Sequence, residues 1–537
     1  MQGKGPMKNI TAIIFRSVIL LLIGITIGLY ISENNLPGNG LGFTFNDGDK
    51  VSKVISLIKN NYVDSVNIDS IEGITVNKVL QNLDPHSLYL PQQQALSINE
   101  RLEGSFNGIG IEYQLLRDTL FITQVYQGGP AAEAGLTNGD KIIDVNKKKF
   151  SGTHLTADRV NKLLRGLRGS EVQLAVSSPN NKIKKQYHIT RGEVDESSLD
   201  AAYMASSRVG YIKISKFSLT TDVDFRNAFD KLKAQGLQKL VLDIRDNGGG
   251  YLNAATALAD EFLKKDRLIV YTKGAHEERR DYFATDSGVF QDGKLAVIID
   301  EYSASASEIL AGALQDLDRA VIVGRRSFGK GLVQQQFPFG DGSAVNLTVA
   351  RYYTPSGRSI QKSYKNGIES YHNEIAERMR KGELFSAQNN LNDSIFKKPS
   401  SYVTVKGRKV FSGGGIMPDV FVPEDTSENT LLIQELSRQQ LFTAYVIDKL
   451  EPVLNNYSSA DDFIKQYTIS DNSFDDFILY ASKTIKEMDS QELLTSRGPI
   501  KTLLKAFAAR FKWGDNAYFE VVNNDDLTLK KAVEAIN

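Results

Sequence analysis

The sequence predicts a multidomain protein with an α/β (α+β) core on a central β-sheet, a separate β-rich module, a helical N-terminal region and a helical C-terminal extension. Three observations support this prediction. Strand-like and helix-like segments alternate from residue 209 to about 360, as expected when helices connect the strands of a sheet. Short β runs between glycine turns fill residues 102–189. Residues 431–537 are mainly helical in pattern, with no glycine before Gly498. The length of 537 residues suits about three or four domains.

The composition excludes several functional classes. Lys and Arg number 64 and Asp and Glu number 64, so the net charge is +0 and the basic surplus typical of nucleic-acid-binding proteins is missing. The chain has 0 cysteines, which rules out disulfides, thiolate metal sites, cysteine nucleophiles and lipid attachment to an N-terminal cysteine. With only 5 histidines, a hydrolase built on this chain has few imidazoles to activate a nucleophile or to bind a metal.

The N-terminal segment predicts a membrane anchor. Lys4, Lys8 and Arg16 precede or enter the apolar run of residues 10–31, and the run ends without a small-residue cleavage site. These features favour an uncleaved signal-anchor over residues 1–35, against the alternative of a cleaved signal peptide. The expected location is the bacterial cell envelope, with the chain anchored in the inner membrane and its bulk in the periplasm.

Residues 36–101 combine a linker with a helical region. The first part, residues 36–49, is rich in Gly, Asn and Asp, which is typical of a linker. From Val51 onward, apolar residues recur at helical spacing, and Pro85 and Pro91 divide the region into short helices.

The β-rich module, residues 102–190, contains a specific set of glycine turns. They are FNGIGI at residues 106–111, GGPA at residues 128–131 and GDKII at residues 139–143. This pattern resembles a PDZ domain of the permuted bacterial type. Backbone N–H groups of such a turn can bind a C-terminal carboxylate, and the following strand can pair with the peptide. The resemblance implies that apolar peptide C-termini bind at Gly108, Ile109, Gly110 and Ile111.

Arg165 is the second feature of this module that the resemblance singles out. It lies in the sequence LLRGLRG and matches the arginine that similar proteases use to connect an occupied PDZ domain with the active site. The alternative is a solvated arginine at the end of a helix. For the module as a whole, the alternative is a spacer that binds no ligand.

Three stretches of the core, residues 191–361, present reactive groups next to predicted strands. LDIRDNGGG ends a buried strand in glycines whose amides can face a developing oxyanion. In IDEYSASASEIL, small residues form a tight turn before a helix, and Ser307 is expected to cap that helix. In SFGKGLVQ, Lys330 lies between two glycines, and Gln334 falls on the same strand face. Burial would lower the pKa of this amine enough for it to act as a base.

Together these stretches resemble the C-terminal processing peptidases, or tail-specific proteases, of the serine/lysine type. The motifs SASASEILAGALQD, GRRSFGKGLVQ, YYTPSGRSIQ, LDPHSLYL and GIMPDV extend the match over about residues 49–424. The resemblance implies that Ser305 is the nucleophile, Lys330 the general base and Gln334 the residue that orients the lysine. It also implies two oxyanion donors: the N–H of Ala306 and that of a glycine in the run, with Gly248 and Gly249 as the main candidates.

Two alternatives concern the identity of the serine. Residue chemistry alone leaves Ser303, Ser305 and Ser307 open, and only the family's spacing between serine and lysine selects Ser305. The S-x-x-K tetrad that joins Ser327 to Lys330 would instead suggest a penicillin-recognising enzyme. A K-T-G motif is absent, and glycines around the lysine disfavour the helical turn which that chemistry needs.

Two segments depart from the family pattern. A polar insertion, residues 362–412, precedes the return strand at residues 413–428, and a helical extension covers residues 429–537. Each is expected to form a lid, a docking surface or an oligomer interface.

The predicted function is a serine endopeptidase of the cell envelope that binds protein C-termini and cleaves near the C-terminal region, with no cofactor and no metal. The expected partners are proteins or peptides with apolar C-termini, the membrane, and a second copy or an adaptor protein, but no nucleic acid. The alternative is a catalytically silent PDZ scaffold that only binds peptides.

Overall fold

The computed structural model describes residues 50–116, 118–150, 155–178, 181–386, 402–426 and 430–537. The predicted anchor and linker lie outside these residues. The chain divides into two compact units between Ile74 and Thr75. The first unit contains α1 (Lys50–Asn61), which has no buried residue in the described part of the chain, and the start of α2 (Ile68–Leu80). In the ranges given above, no helix is both long enough and apolar enough to cross a membrane.

The β-rich module is a six-stranded antiparallel sheet with the order β3-β4-β5-β7-β8, and β6 pairs with β5. β3 is therefore an edge strand of this sheet. β2, which precedes β3 in the chain, and β9, which follows β8, pair with each other in a separate two-stranded sheet. The elements up to residue 195 are β1 (Leu88–Leu90), α3 (Gln92–Glu103), β2 (Ser105–Gly108), β3 (Ile111–Leu116), β4 (Thr119–Val125), α4 (Pro130–Glu133), β5 (Lys141–Val145), β6 (Lys148–Lys149), α5 (Ala157–Leu164), β7 (Glu171–Ser178), β8 (Asn181–Thr190) and β9 (Gly192–Asp195).

The core is built on a six-stranded sheet with the order β10-β11-β12-β15-β16-β21, in which all neighbours except β10 and β11 are parallel. A second sheet contains β1, β13, β14, β17 and β18. The elements are β10 (Leu199–Met204), β11 (Val209–Ile214), α6 (Thr221–Ala234), β12 (Lys239–Asp243), α7 (Leu252–Asp260), β13 (Leu268–Lys273), β14 (Arg280–Phe283), β15 (Lys294–Ile299), α8 (Ala306–Asp316), β16 (Val321–Gly324), β17 (Leu332–Pro338) and β18 (Ala344–Tyr353).

Residues 88–90 differ from the predicted helical pattern. They form β1, which pairs with β18 so that Leu88 lies opposite Asn346 and Leu90 opposite Ala344. Leu90 and Ala344 then share a small buried apolar cluster. Three residues between two prolines carry too little local signal, so the contact with β18 decides their conformation.

The insertion and the extension contribute the remaining elements. The extension has its own apolar core, which includes Phe442, Phe463 and Phe477. It also contacts the β-rich module, where Leu116 and Phe121 pack with Ala444 and Ile447. The elements are α9 (Ile368–His372), α10 (Glu374–Arg380), β19 (Tyr402–Val403), β20 (Lys409–Val410), β21 (Val420–Phe421), α11 (Leu431–Arg438), α12 (Leu441–Tyr445), a π-helical turn (Val446–Leu450), α13 (Glu451–Leu454), α14 (Ala460–Gln466), α15 (Asp471–Ala481), α16 (Ser490–Trp513), α17 (Asp515–Asn523) and α18 (Leu527–Ala535).

The strands of the core sheet are buried on both faces, as a largely parallel sheet requires. One face packs against α6, α7 and α8. The other face packs against Leu529, Ala532 and Ile536 at the end of the chain. The C-terminal extension therefore completes a three-layer core.

Candidate active site

Three loops of the core meet at one edge of the parallel sheet. β12 and β15 are parallel neighbours, so the glycine loop after β12 and the serine turn after β15 leave the sheet side by side. β16, the next strand, leads into the loop that carries Lys330. A cavity of about 550 Å³ lies between these loops. The predicted site residues that line it are Gly248, Ser305, Ala306, Lys330 and Gln334.

Ser305 is the N-cap residue of α8 and has an unusual backbone conformation. Its φ of 56° and ψ of −113° lie in a region that residues other than glycine rarely occupy. Its N–H donates to the Glu308 carboxylate at 2.9 Å. The prediction that Ser307 caps the helix is wrong, because the helix already begins at Ala306. The Ser307 hydroxyl instead donates to the carbonyl of Asn247 at 2.8 Å.

The four candidate serines differ in accessibility. Ser303 and Ser307 are fully buried, and the hydroxyl of each lies 2.8 Å from a backbone carbonyl oxygen of the core. Ser327 is also fully buried, and its hydroxyl donates to Glu308 at 2.5 Å. Ser305 is half-buried and lines the cavity. The geometry therefore favours Ser305 as the hydroxyl that a substrate can reach.

The carboxylate of Glu308 connects the serine turn with the lysine loop. It is fully buried and accepts N–H groups from Ser305 at 2.9 Å, Gly329 at 2.7 Å and Lys330 at 2.8 Å, besides the Ser327 hydroxyl. Burial raises the pKa of Glu308, and these hydrogen bonds act in the opposite direction. Glu308 was not predicted, although the S-x-x-E pattern of a capping box could have indicated it. Its contact with the lysine loop comes only from the tertiary fold.

Tyr352 connects the same two segments through their carbonyl groups. Its hydroxyl lies 3.0 Å from the carbonyl oxygen of Ser305 and 2.6 Å from that of Lys330. Burial raises the pKa of Tyr352 well above its ordinary value, so the hydroxyl keeps the proton that it donates. Glu308 and Tyr352 thus fix the backbone of both predicted catalytic residues.

Lys330 lies in surroundings that favour a neutral amine. Burial lowers the pKa of Lys330, although the Glu308 and Asp84 carboxylates act in the opposite direction. In the described part of the chain, no acceptor is hydrogen-bonded to its Nζ. Gln334, which we predicted to hold this amine, donates from Nε2 to the Thr348 hydroxyl at 3.2 Å and lines the same cavity.

The glycine loop runs directly beside the serine turn. Gly249 has a φ of 101°, and a Cβ added there would lie 2.8 Å from the Cβ of Ser305. The N–H of Gly249 donates to Asn247 Oδ1 at 2.9 Å. Across the described residues, the N–H groups of Gly248 and Ala306 have no such acceptor. These two donors therefore stay available at the cavity.

Asn247 is a positioning residue that the sequence analysis missed. It is fully buried, and its carbonyl accepts the N–H of Ala304 at 3.0 Å and the hydroxyl of Ser307 at 2.8 Å. Its amide donates to the carbonyl of Ile214 at 2.9 Å. A single asparagine in a glycine-rich turn is too common a pattern to have identified this role.

His86 lies near the predicted base. Its Nε2 is 2.8 Å from the Tyr371 hydroxyl. Burial, and to a smaller extent the charge of Lys330, lower the pKa of His86 to about 3. The imidazole therefore stays neutral at ordinary pH and adds no positive charge beside Lys330.

The polar insertion braces the loop before Lys330. Arg326 is buried and donates to Glu383 at 2.7 Å and to Glu374 at 3.1 Å, both in the insertion. Arg378, also in the insertion, donates to the carbonyl of Arg326 at 2.6 Å. Residues 362–386 therefore contact the lysine loop through buried charge pairs.

The β-rich module contains a second cavity, of about 280 Å³, beside the edge strand β3 and helix α5. Backbone atoms of Gly108 pair with Arg165. The predicted peptide-binding and relay residues that line the cavity are Ile109, Gly110, Ile111 and Arg165.

The side chain of Arg165 connects this cavity with α3. Its guanidinium forms an ion pair with Glu100 and lies 4.5 Å from the ring centre of Phe106. The neighbouring α3 residues Ile98 and Asn99 line the catalytic cavity. One helix therefore lines the cavity of Ser305 and Lys330 and also pairs with Arg165, which lines the cavity of the β-rich module.

Comparisons with known proteins agree with this architecture. The model of peptidase family S41 matches residues 208–370, a PDZ domain model matches residues 121–177, and a family of unknown function (DUF8443) matches residues 432–514.

Two bacterial relatives align with most of the chain. The carboxy-terminal processing protease CtpB of Bacillus subtilis (strain 168) is 36% identical over 324 residues, which cover 60% of this chain and 66% of that protein. The "Probable CtpA-like serine protease" of Staphylococcus aureus (strain bovine RF122 / ET3-1) is 34% identical over 348 residues, 64% of this chain and 68% of that protein. The chain thus spans about two thirds of their length.

Among solved structures, the photosystem II D1 C-terminal processing protease is 30% identical, with a TM-score of 0.32, 57% of this chain covered and 82% of that chain. The identity to the curated relatives, the S41 match over the core and the PDZ match over the β-rich module lead to one assignment. The chain belongs to peptidase family S41, the C-terminal processing serine peptidases, and carries a PDZ domain.

Proposed function

We propose that the chain hydrolyses peptide bonds near the C-terminal region of other proteins with Ser305 as nucleophile and Lys330 as general base. The observation that carries this proposal is the pairing of the two segments. Glu308 and Tyr352 hold both backbones. Ser305, the most accessible of the four candidate serines, shares a cavity with a lysine whose pKa burial lowers.

The geometry supports a two-step reaction. Ser305 Oγ attacks the scissile carbonyl carbon while the neutral Lys330 amine takes the hydroxyl proton. The N–H groups of Gly248 and Ala306 donate to the oxyanion that forms. Lys330 then gives its proton to the leaving amine, and an acyl-enzyme remains. Water, deprotonated by the same lysine, then attacks the acyl carbon. The ester bond to Ser305 Oγ breaks, and the lysine returns its proton to that oxygen.

The PDZ domain supplies substrate selection in this proposal. A peptide can pair with the free edge of β3 and place its carboxylate at the turn that contains Gly110. The pair between Arg165 and Glu100 then connects the occupied PDZ cavity through α3 with the catalytic cavity. Arg165 is a positioning residue in this scheme.

A test compares two unfolded reporters that differ only at the C-terminus. We expect the reporter with a free apolar C-terminus to be cleaved at least about tenfold faster than the same chain with a C-terminal amide, because the amide removes the charge that the turn binds. Mass spectrometry of the products should locate cleavages near the C-terminal region. In the Arg165→Ala variant, the rate for the free-carboxylate reporter should fall to that of the amide.

Two results would contradict the proposal. If both reporters stay intact while the free-carboxylate reporter still binds, the chain is a peptide-binding scaffold. If both reporters are cleaved equally fast by the wild type, the PDZ domain does not select substrates.

The place of action is the cell envelope in this proposal. The basic residues before the apolar run of residues 10–31 support an inner-membrane anchor with the catalytic part in the periplasm. N-terminal sequencing of the membrane fraction of a producing cell should return the original N-terminus. A mature terminus near Ser32 would contradict the anchor, and recovery of the whole chain from the cytoplasm would contradict the location.

A further inference from the structure

We infer that Asp84, acting through Thr348, is a positioning residue that orients the amide of Gln334 toward Lys330. The inference rests on the proposed roles of Ser305 and Lys330. The sheet beside the cavity has an irregular register between β17 and β18.

The pairing between β17 and β18 shifts by one residue next to Gln334. Val333 lies opposite Ala350, but Gln334 lies opposite Thr348, so Val349 is the extra residue of a β-bulge. The bulge makes Gln334 and Thr348 a cross-strand pair, with their side chains on one face. In an unshifted register, Gln334 would face the valine, which has no hydrogen-bonding group.

The polar groups of this pair form a chain that ends in a carboxylate. Gln334 Nε2 donates to Thr348 Oγ1 at 3.2 Å, and Thr348 Oγ1 donates to Asp84 Oδ1 at 3.1 Å. Asp84 is buried. In sequence, the whole β-rich module separates it from the strands of the core. The pairing of β1 with β18 brings the two segments together.

Asp84 is itself held rigidly. It accepts the N–H groups of His86 at 2.8 Å and Ser87 at 3.0 Å, and the Ser87 hydroxyl at 2.7 Å. The same Ser87 hydroxyl accepts the N–H of Thr348 at 3.1 Å. These hydrogen bonds fix the direction of the carboxylate, and the Thr348 hydroxyl donates one more hydrogen bond to it.

The chain determines which way the Gln334 amide points. A carboxylate only accepts, so the single hydroxyl hydrogen of Thr348 goes to Asp84. The threonine oxygen can then only accept, which requires the NH₂ side of the Gln334 amide. The amide oxygen is left as the acceptor at the cavity, where it can hold the Lys330 amine. An opposite amide orientation would turn NH₂ toward the amine and repel it when charged.

Thr348→Val tests this inference, because it removes the hydroxyl and keeps the branched shape. We expect kcat to fall about tenfold with KM within about twofold, since substrate binding is untouched and only the base is misaligned. Thr348→Ser, which keeps the hydroxyl, should restore kcat to within about threefold. Thr256→Val is the matched control. Thr256 lies in α7, and its hydroxyl donates to the carbonyl of Asn253, so it takes no part in the hydrogen bonds that join Gln334, Thr348 and Asp84. This variant should keep wild-type kcat.

A double-mutant cycle separates positioning from a structural role. Gln334→Ala should also lower kcat about tenfold, and adding Thr348→Val to it should change kcat by less than about twofold, because the threonine acts through the glutamine. If the fold-losses in kcat of Gln334→Ala and Thr348→Val multiplied in the double variant, the inference would be overturned. Wild-type kcat in Thr348→Val would overturn it as well. Ser305→Ala, measured beside them, separates the two claims. If one of these contrary results is found and Ser305→Ala is inactive, only the positioning role has failed. If Ser305→Ala is fully active, the proposed function and this inference both fail.

Discussion

Replacing Ser305 by alanine is expected to lower kcat for reporter cleavage by at least about 10⁴-fold, because no other group can form the acyl-enzyme. The substitution removes one hydroxyl that lines the cavity and leaves the Glu308 contact, which uses the backbone N–H of residue 305. Peptide binding to the PDZ domain and the melting temperature should therefore stay near wild-type values. Steady-state cleavage, peptide binding and thermal unfolding measured on one preparation check the three expectations.

The neighbouring serines provide matched controls for this result. Ser307→Ala removes one buried hydrogen bond and Ser303→Ala at least two, and each lost bond costs about 1 kcal/mol of folding stability. We expect both variants to melt at a lower temperature and to keep at least about a tenth of the wild-type rate. Cleavage by Ser305→Ala at the wild-type rate, or loss of all activity only in Ser303→Ala or Ser307→Ala, would contradict the assignment of the nucleophile.

Replacing Lys330 by arginine is expected to lower kcat by at least about 10³-fold. Arginine keeps the positive charge but holds its proton at any accessible pH, so it cannot take the proton of Ser305. Lys362→Arg is the control, because Lys362 is also buried, lies 3.7 Å from the ring centre of Phe328 and pairs with Glu374, but does not line the cavity. That variant should stay within about threefold of the wild-type rate.

The pH dependence of the wild-type cleavage rate tests the same role of Lys330. Only the neutral amine accepts a proton, so the wild-type rate should rise with pH through the lowered pKa of Lys330 and then level off. The charged neighbours Glu308 and Asp84 raise this pKa and His86 stays neutral, so burial has to outweigh the two carboxylates. A rate that falls across this pH range, or full activity in Lys330→Arg, would exclude lysine as the base.

The general architecture could be predicted from local patterns. Alternation of buried runs with amphipathic segments predicted the parallel core sheet, because every connection in such a sheet needs a helix or a long loop. The glycine turns of the β-rich module predicted the PDZ domain because their pattern resembles that family. β1 and the bulge opposite Gln334 could not be predicted, because each depends on a partner strand far away in sequence.

The candidate site was predictable in part. Ser305 and Lys330 were named from motif resemblance. Glu308 was not named, although the S-x-x-E pattern of a helix cap could have marked it. Tyr352, Asp84 and Asn247 lie inside motifs that carry the resemblance, but no local pattern indicated their contacts with the site or with Thr348. Each contacts the site across more than a dozen residues of sequence, and a tyrosine in a strand or an aspartate before a proline is usually unrelated to catalysis.

The sequence by itself determined the candidate chemistry: a chain without cysteine and with few histidines, a serine before a helix, a glycine-flanked lysine and a glycine turn that resembles the peptide-binding turn of a PDZ domain. The tertiary structure alone decided which hydroxyl reaches the cavity and how the base loop is held. It also decided that the end of the chain covers the second face of the core sheet. The physical reason is that a buried run such as LAVIID requires cover on both faces but does not specify which helix supplies it.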